Sequence, residues 1–151
     1  MIGAPIPWGK KGSHEIRIGT SSWTDPTMVR GRVFYPRGVS SADDRLRYYA
    51  DQFPVVEVDS SYYSLPSRAN SLLWADRTPA HFVFHLKAHA LMTGQPTEVA
   101  RLPGPLIDAL PRPLAAAARI YAKDLPAALL DAVWTHFIDA LAPLRERGKL
   151  G

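Results

Sequence analysis

The chain has 151 residues, 46% hydrophobic and 21% charged, which is typical of a folded globular protein and excludes a largely disordered one. It contains no cysteine, which excludes disulfides, thiolate nucleophiles and thiolate metal sites. The net charge of +4 is scattered from Lys10 to Lys149 without a long basic tract, so we expect an ordinary solvated surface rather than a dedicated polyanion-binding face.

The first residues predict a loose arm followed by a single domain. Residues 1–14 contain proline and glycine, and we expect the domain to occupy residues 15–151. The arm lacks the continuous apolar run of a signal peptide or membrane span, so we expect no membrane association and a cytoplasmic location. Alternating residues over 16–20 predict a first strand, and a loop follows over 21–26. The broken segment up to Val39 indicates a long structured connection.

Two helix starts are marked by capping residues. Ser41 with Asp44 three positions later is typical of a capping box, and Pro54 stops the helix that it begins. Ser67 predicts the start of a second helix, which ends around residues 78–79.

The strand between these helices is the centre of the prediction. Alternation places Val56 and Val58 on one face, and Glu57 and Asp59 on the opposite face. Burying a carboxylate without a partner costs several kcal/mol, so we expect cations or a polar interior close to these acids.

A third strand is predicted over residues 82–86, giving the order strand, helix, strand, helix, strand. This order indicates a parallel α/β sheet with helices on at least one face. If the more apolar faces contact the helices, the charged residues share the other side. The expected apolar set is Ile16, Ile18, Val56, Val58, Phe82, Phe84 and Leu86, and the expected charged set is Arg17, Glu57, Asp59, His85 and Lys87.

The rest of the chain predicts an inserted element and a final helix. The proline-containing stretch 88–123 is too long for a simple turn, so we expect a lid or small element with a helical turn over 114–118. Asp124 is predicted to cap the last helix, Pro143 to kink or end it, and Gly148 to follow it. The predicted apolar stripe of that helix is Leu129, Val133, Trp134, Phe137, Leu141 and Leu144.

Three parallel strands alone would leave two open edges and one uncovered charged face. A TIM-type (β/α)₈ barrel, typically of about 250 residues, closes its edges and accepts polar groups where its strands end. We therefore predict an α/β fold in which this chain supplies about the first three β/α units of such a barrel, an incomplete barrel that ends where a fourth strand should begin. A self-contained three-stranded α/β domain is the alternative.

Five stretches between residues 18 and 88 resemble the YecE-like family, domain of unknown function 72, in order and spacing. They are IGTSSW, VFYP, LRYYADQFPVVEVDSSYY, LWADRTP and FVFHLKA. The resemblance is to the N-terminal part of the family and implies a TIM-type barrel that continues into a fourth strand. It implies no reaction, since none is established for the family. Relatives carry a histidine soon after the threonine at Thr93, where this chain has Gly94 and Gln95; any chemical role of that histidine would be missing here.

Glu57 and Lys87 are the candidate catalytic residues, because barrel sites gather where the strands end. Glu57 suits a general base or substrate anchor, with a structural ion pair to Arg17 or Lys87 as the alternative. Lys87 suits an anion contact, or a Schiff base if burial lowers its pKa.

The candidate ligand-binding residues are Trp23, Asp59, Ser60, Tyr62 and Thr93. The aromatic members suit stacking on a ring, with core packing as the alternative. The chain has no recognisable metal-ligand spacing, phosphate loop or nucleophile elbow, so we predict no metal site.

Three hypotheses for function follow. The first is an enzyme-like or ligand-binding barrel for a small polar or anionic molecule. The second is a nucleic-acid or nucleotide-associated module that uses the positive charge and aromatic residues. The third is a truncated, inactive fragment. The sequence indicates neither a cofactor nor an oligomeric state.

Overall fold

The structure, a computed structural model, describes residues 10–11, 14–31 and 33–151. Most of the predicted arm therefore lies outside the described residues. Within it, β1 (Lys10–Lys11) pairs antiparallel with β2 (His14–Glu15).

The central unit alternates strands and helices as the sequence predicts, except that a short helix, α1, lies in the segment predicted to be an irregular connection. Its elements are β3 (Gly19–Ser21), α1 (Pro26–Arg30), α2 (Ala42–Gln52), β4 (Val55–Val58), α3 (Arg68–Asp76) and β5 (Val83–Leu86). The strands form one sheet in the order β3–β4–β5, and both pairings are parallel. The predicted α/β class with a parallel sheet is therefore confirmed.

Both predicted helix starts are confirmed by their caps. The Ser41 hydroxyl accepts a hydrogen bond from the Asp44 amide at 3.0 Å, and the Asp44 carboxylate accepts from the Ser41 amide at 3.3 Å. At α3, the Ser67 hydroxyl accepts from the Asn70 amide at 3.1 Å. These contacts satisfy amides that the first helical turn would otherwise leave without partners.

The sheet has one covered face. Val56, Val58 and Phe84 are buried in a core together with residues of α2 and α3. Glu57 and His85 are exposed on the opposite face, and they lie opposite one another in the β4–β5 register. The predicted separation of apolar and polar faces is confirmed for β4 and β5, because side chains alternate along a strand.

The prediction for the first strand is wrong in part. Ile16 and Ile18 are 67% and 57% exposed and belong to neither of the described hydrophobic cores. Strand pairing begins only at Gly19, after both isoleucines. A Cβ at Gly19 would lie 2.0 Å from the Val55 carbonyl oxygen, so this close approach requires glycine.

An inserted element with its own core follows β5, as predicted. It contains β6 (Thr97–Glu98), α4 (Gly104–Asp108), α5 (Arg112–Ala115) and β7 (Arg119–Ile120), with β6 and β7 antiparallel. Helix α5 corresponds to the helical turn predicted over residues 114–118 and begins two residues earlier. Leu91, Leu106, Ile120 and Val133 belong to its core, which is separate from the core beneath the sheet.

The final helix differs from its prediction at the start and along its stripe. Helix α6 (Ala127–Ala140) has Pro126 at its N-cap, while the Asp124 carboxylate accepts from the Tyr121 amide at 3.2 Å. Asp124 therefore caps the preceding 3₁₀ turn and not α6. Trp134 is 44% exposed, so it lies outside the buried stripe. The predicted break at Pro143 is confirmed, because α7 (Ala142–Glu146) begins there.

The segment after α7 extends the sheet. Gly148 has a positive φ of 66°, and the amide of Lys149 donates to the Leu144 carbonyl at 2.8 Å. The Phe84 amide then donates to the Lys149 carbonyl at 2.8 Å, and the Gly151 amide to the Phe84 carbonyl at 3.0 Å. Leu150 thus pairs in parallel with β5, at the position predicted for a fourth strand.

Among the described residues, no helix combines the length and the apolar character needed to cross a bilayer. The cytoplasmic location stays a prediction.

Lys149 joins the end of α3 to this β-bridge. Its side chain is buried, and its ammonium donates to the carbonyls of Ala75 and Thr78 at 2.6 and 2.5 Å and to the Thr78 hydroxyl at 3.1 Å. Burial lowers the pKa of Lys149, but the carbonyls at the helix C-terminus provide the partners that a buried cation requires.

We expect Lys149→Met to lower the free energy of unfolding by about 2–4 kcal/mol, because it leaves buried carbonyls without a donor. Chemical denaturation measures this loss. The matched control is Lys123→Met, since Lys123 is exposed and its ammonium lies 5.4 Å from the Tyr121 ring. Equal stability of the two variants would contradict the capping role of Lys149.

His89 is fully buried, and its Nδ1 accepts from the Leu91 amide at 3.4 Å. Burial lowers the pKa of His89 from 6.5 to about 4. As the pH falls from 6.5 to 4, the unfolded chain therefore binds a proton that the folded chain does not. The contribution of neutral His89 to the free energy of unfolding is therefore complete above pH 6.5, and it is lost as the pH falls across this interval.

The loss attributable to His89 should reach about 3 kcal/mol. We expect His89→Gln to flatten the dependence of unfolding free energy on pH in this interval. His81 is exposed, so His81→Gln should retain the dependence of the parent chain. Parallel pH dependences for the parent and His89→Gln would show that another group is responsible.

Candidate functional site

The carboxyl ends of the three parallel strands bring polar side chains together. Ser21 ends β3, Glu57 lies near the end of β4, and Lys87 directly follows β5. The register pairs Ser21 with Glu57 and Glu57 with His85. Since alternate residues share a face, Lys87 lies on the same side of the sheet as His85 and Glu57.

Glu57 is held by a neighbouring strand and open to solvent. The Ser21 hydroxyl donates to Glu57 Oε1 at 3.1 Å. Arg17 and His85 line the same cleft of about 320 Å³ on the uncovered face of the sheet. Glu57 is thus an accessible carboxylate in a cationic environment, able to accept a hydrogen bond or a proton from a ligand.

Lys87 forms its ion pair with Asp59 and not with Glu57. Its ammonium lies 2.7 Å from Asp59 Oδ1 and 5.0 Å from the centroid of the Tyr62 ring. The hydrogen bond with Asp59 raises the pKa of Lys87, and the charge of Glu57 adds to this effect. A raised pKa keeps Lys87 protonated and favours an electrostatic contact over the Schiff-base role, which needs a lowered pKa.

Tyr62 and Tyr63 link this ion pair to a second cleft. Their rings pack edge to face with centroids 5.0 Å apart, and the Arg101 guanidinium lies 5.9 Å from the Tyr63 ring. Both tyrosines line a cleft of about 340 Å³, together with Glu98, Arg101 and Arg119 of the inserted element. Arg101 is itself paired with Glu98 at 2.9 Å.

Sequence reasoning missed the three charged residues of this cleft. Glu98, Arg101 and Arg119 are distant in sequence from the tyrosines, and no local pattern marks which side of the inserted element they occupy. The sequence shows that these three residues are charged. Their position in the cleft depends on how the core of the inserted element folds.

The remaining ligand candidates lie in different places. Trp23 is 8% exposed and packs against Trp74 and Phe84, with ring centroids 5.7 and 6.3 Å apart, so its position supports core packing and not ligand contact. Ser60 is exposed and lines a cleft of about 280 Å³. Thr93 lies at the end of a 3₁₀ turn, where its hydroxyl donates to the Ala90 carbonyl at 3.1 Å, and it lines none of these clefts.

Ser22 has an unusual backbone conformation beside Glu57. Its φ is 78°, which lies in a backbone region that residues other than glycine rarely adopt. Holding a residue in this conformation costs about 1–3 kcal/mol. The Ser22 amide donates to the Glu57 carbonyl at 2.8 Å, and the Thr20 hydroxyl donates to the Ser22 carbonyl at 2.9 Å. These bonds fix the end of β3 against β4. Serine is not typical of positive φ, so the sequence carried no signal for it.

The polar side chains at the strand ends can carry out acid–base and electrostatic chemistry. They combine the protonated ammonium of Lys87, the carboxylates of Glu57 and Asp59, and the hydroxyl at the end of β3. Within the part of the chain that the structure describes, no three histidine, aspartate or glutamate side chains gather closely enough to hold a metal ion.

The chain is similar to a protein of Bacillus subtilis and to a solved structure from Enterococcus faecalis. It is 35% identical over 79 residues to the UPF0759 protein YunF of Bacillus subtilis (strain 168), covering 52% of this chain and 26% of that protein. A crystal structure of a DUF72 family protein from Enterococcus faecalis V583 matches 89% of this chain and 36% of its own, with 22% identity and a TM-score of 0.50. The second likeness concerns the fold alone. The chain spans about a third or less of the length of these relatives.

A family match covers nearly the whole chain. Residues 17–151 match the family described as "Protein of unknown function DUF72", which includes the stretch with all the strands of the central sheet and the inserted element. The resemblance in the sequence motifs is therefore confirmed at the level of the family. This chain belongs to the DUF72 family.

Proposed function

We propose that this chain forms part of a (β/α)₈ barrel that binds a small polar or anionic molecule where its strands end. Glu57 serves as the acid–base group or anchor, and Lys87 as the electrostatic partner. The observation that carries the proposal is the convergence of Ser21, Glu57 and Lys87 on the uncovered side of one parallel sheet.

The barrel is supported by how the sheet is covered. Helices pack on one face only, and the other face carries Glu57 and His85. An exposed parallel sheet face is rare, whereas a barrel encloses such a face and closes both sheet edges. Residues 149–151 already extend the sheet past β5. The DUF72 structure of similar fold belongs to a longer chain, of which this chain covers 36%.

A ligand site is supported by the clefts beside the strand ends. The clefts around Glu57 and around Tyr62 have volumes of about 320 and 340 Å³, within the usual range for small-molecule sites. The Lys87 ammonium pairs with Asp59 and lies 5.0 Å from the ring of Tyr62, which lines the second cleft. A half-exposed, protonated lysine beside an aromatic ring suits an anionic group attached to a flat or ring-shaped body.

The test is a screen of small anions, carried out on the parent chain and on three variants. Sugar phosphates and mono- and dicarboxylates are tested by ligand-observed NMR. We expect at least one compound to bind the parent, and Glu57→Gln or Lys87→Met to weaken it by about tenfold or more, since each removes a charged contact. Lys123→Met removes the same charge away from the site and should leave binding unchanged.

Thermal unfolding of the same variants separates function from structure. Glu57 is exposed, and its carboxylate accepts from the Ser21 hydroxyl, so Glu57→Gln should melt within a few degrees of the parent. A large loss of stability with binding intact would instead assign Glu57 a structural role. Salt-dependent binding of single-stranded RNA that survives both variants would favour the nucleic-acid hypothesis.

A further inference from the structure

A basic cavity lies between the connection that follows α1 and the second turn of α2. Its volume is about 670 Å³, larger than either cleft at the strand ends. Val29, Tyr35, Arg37, Ser40 and Arg45 are among its lining residues. None of these residues belongs to the site proposed above.

Arg45 lines this cavity and carries an unpartnered donor. Its Nε is buried and has no hydrogen-bond partner among the described residues. Leaving a charged donor without a partner is costly, so an anion bound by the Arg45 guanidinium would offset part of that cost. Neither Arg37 nor Arg45 forms a salt bridge with a carboxylate of the described chain.

The acids of α2 are engaged elsewhere. Asp43 pairs with Arg47 at 2.8 Å and with Arg77 at 3.1 Å. The Asp44 carboxylate accepts from Ser41 in the helix cap. No carboxylate is among the described residues that line the cavity, so its two guanidinium groups have no acidic counter-charge there.

Tyr35 does not supply the missing negative charge. Its hydroxyl donates to the Trp23 carbonyl, and burial raises the pKa of Tyr35 to about 12. The phenol is therefore neutral at ordinary pH. The cavity thus combines two cations, the Ser40 hydroxyl and apolar side chains such as Val29 and Val39.

We propose that this cavity binds the phosphate group of a small phosphorylated molecule. The guanidinium group of Arg45 binds the anion from the side of α2, that of Arg37 binds it from the exposed side, and Ser40 provides a hydroxyl donor. Guanidinium groups suit phosphate because their planar donors can bind two oxygens at once. The volume exceeds that of a phosphate group alone, which leaves room for an organic part against the valines.

Isothermal titration calorimetry with inorganic pyrophosphate and inorganic phosphate at low ionic strength tests this proposal. We expect the full chain to bind pyrophosphate, and Arg45→Gln to weaken binding by about tenfold or more. Arg37→Gln should weaken it several-fold. Arg47→Gln is the matched control, because it removes the same charge from the same helix outside the cavity, and its affinity should stay within about twofold of the parent.

Each other result overturns the proposal. A parent chain that binds neither pyrophosphate nor phosphate would overturn it. Equal losses of affinity in Arg45→Gln and Arg47→Gln would also overturn it, because they would show that the anion responds to the general surface charge. Binding that Lys87→Met abolishes and Arg45→Gln leaves intact would place the anion at the strand ends. Thermal unfolding checks each variant. If Arg45→Gln does not fold, Arg45→Lys, which keeps the charge but removes the planar set of guanidinium donors, must show the loss.

Discussion

The structure depends on the parallel pairing of β3, β4 and β5 with helices on one side only. Parallel register fixes which side chains stand next to each other, and alternation sends every second residue to the same face. In β4 this sorts Val56 and Val58 into the core and Glu57 to the open side. The same pairing aligns the strand ends, so that the position of Ser21, Glu57 and Lys87 follows from the sheet itself.

Local signals allowed much of this arrangement to be predicted from the sequence. The cap formed by Ser41 and Asp44 involves residues three apart, and the alternation in β4 needs only four residues to be recognised. Both are decided by neighbours in the chain. The break at Pro143 is local as well, because proline removes a backbone donor and clashes with the preceding helical turn.

Features that depend on distant contacts could not be predicted in the same way. Ile16 and Ile18 alternate like a strand, but pairing with β4 begins only at Gly19, which fits against the Val55 carbonyl. Trp23 looked suited to stacking on a ligand, yet Trp74 and Phe84 enclose it. The partner of Lys87 was also unexpected, because a 3₁₀ turn after β4 presents Asp59 to the lysine.

The account rests on the claim that Glu57 and His85 share an open face opposite Val56 and Phe84. The chain has no native cysteine, so single cysteines report this directly through their rate of modification by a thiol reagent under native conditions. The account predicts rapid modification of Glu57→Cys and His85→Cys, and strong protection of Val56→Cys and Phe84→Cys. Modification of Val56→Cys as fast as Glu57→Cys, in a chain that remains folded, would contradict it.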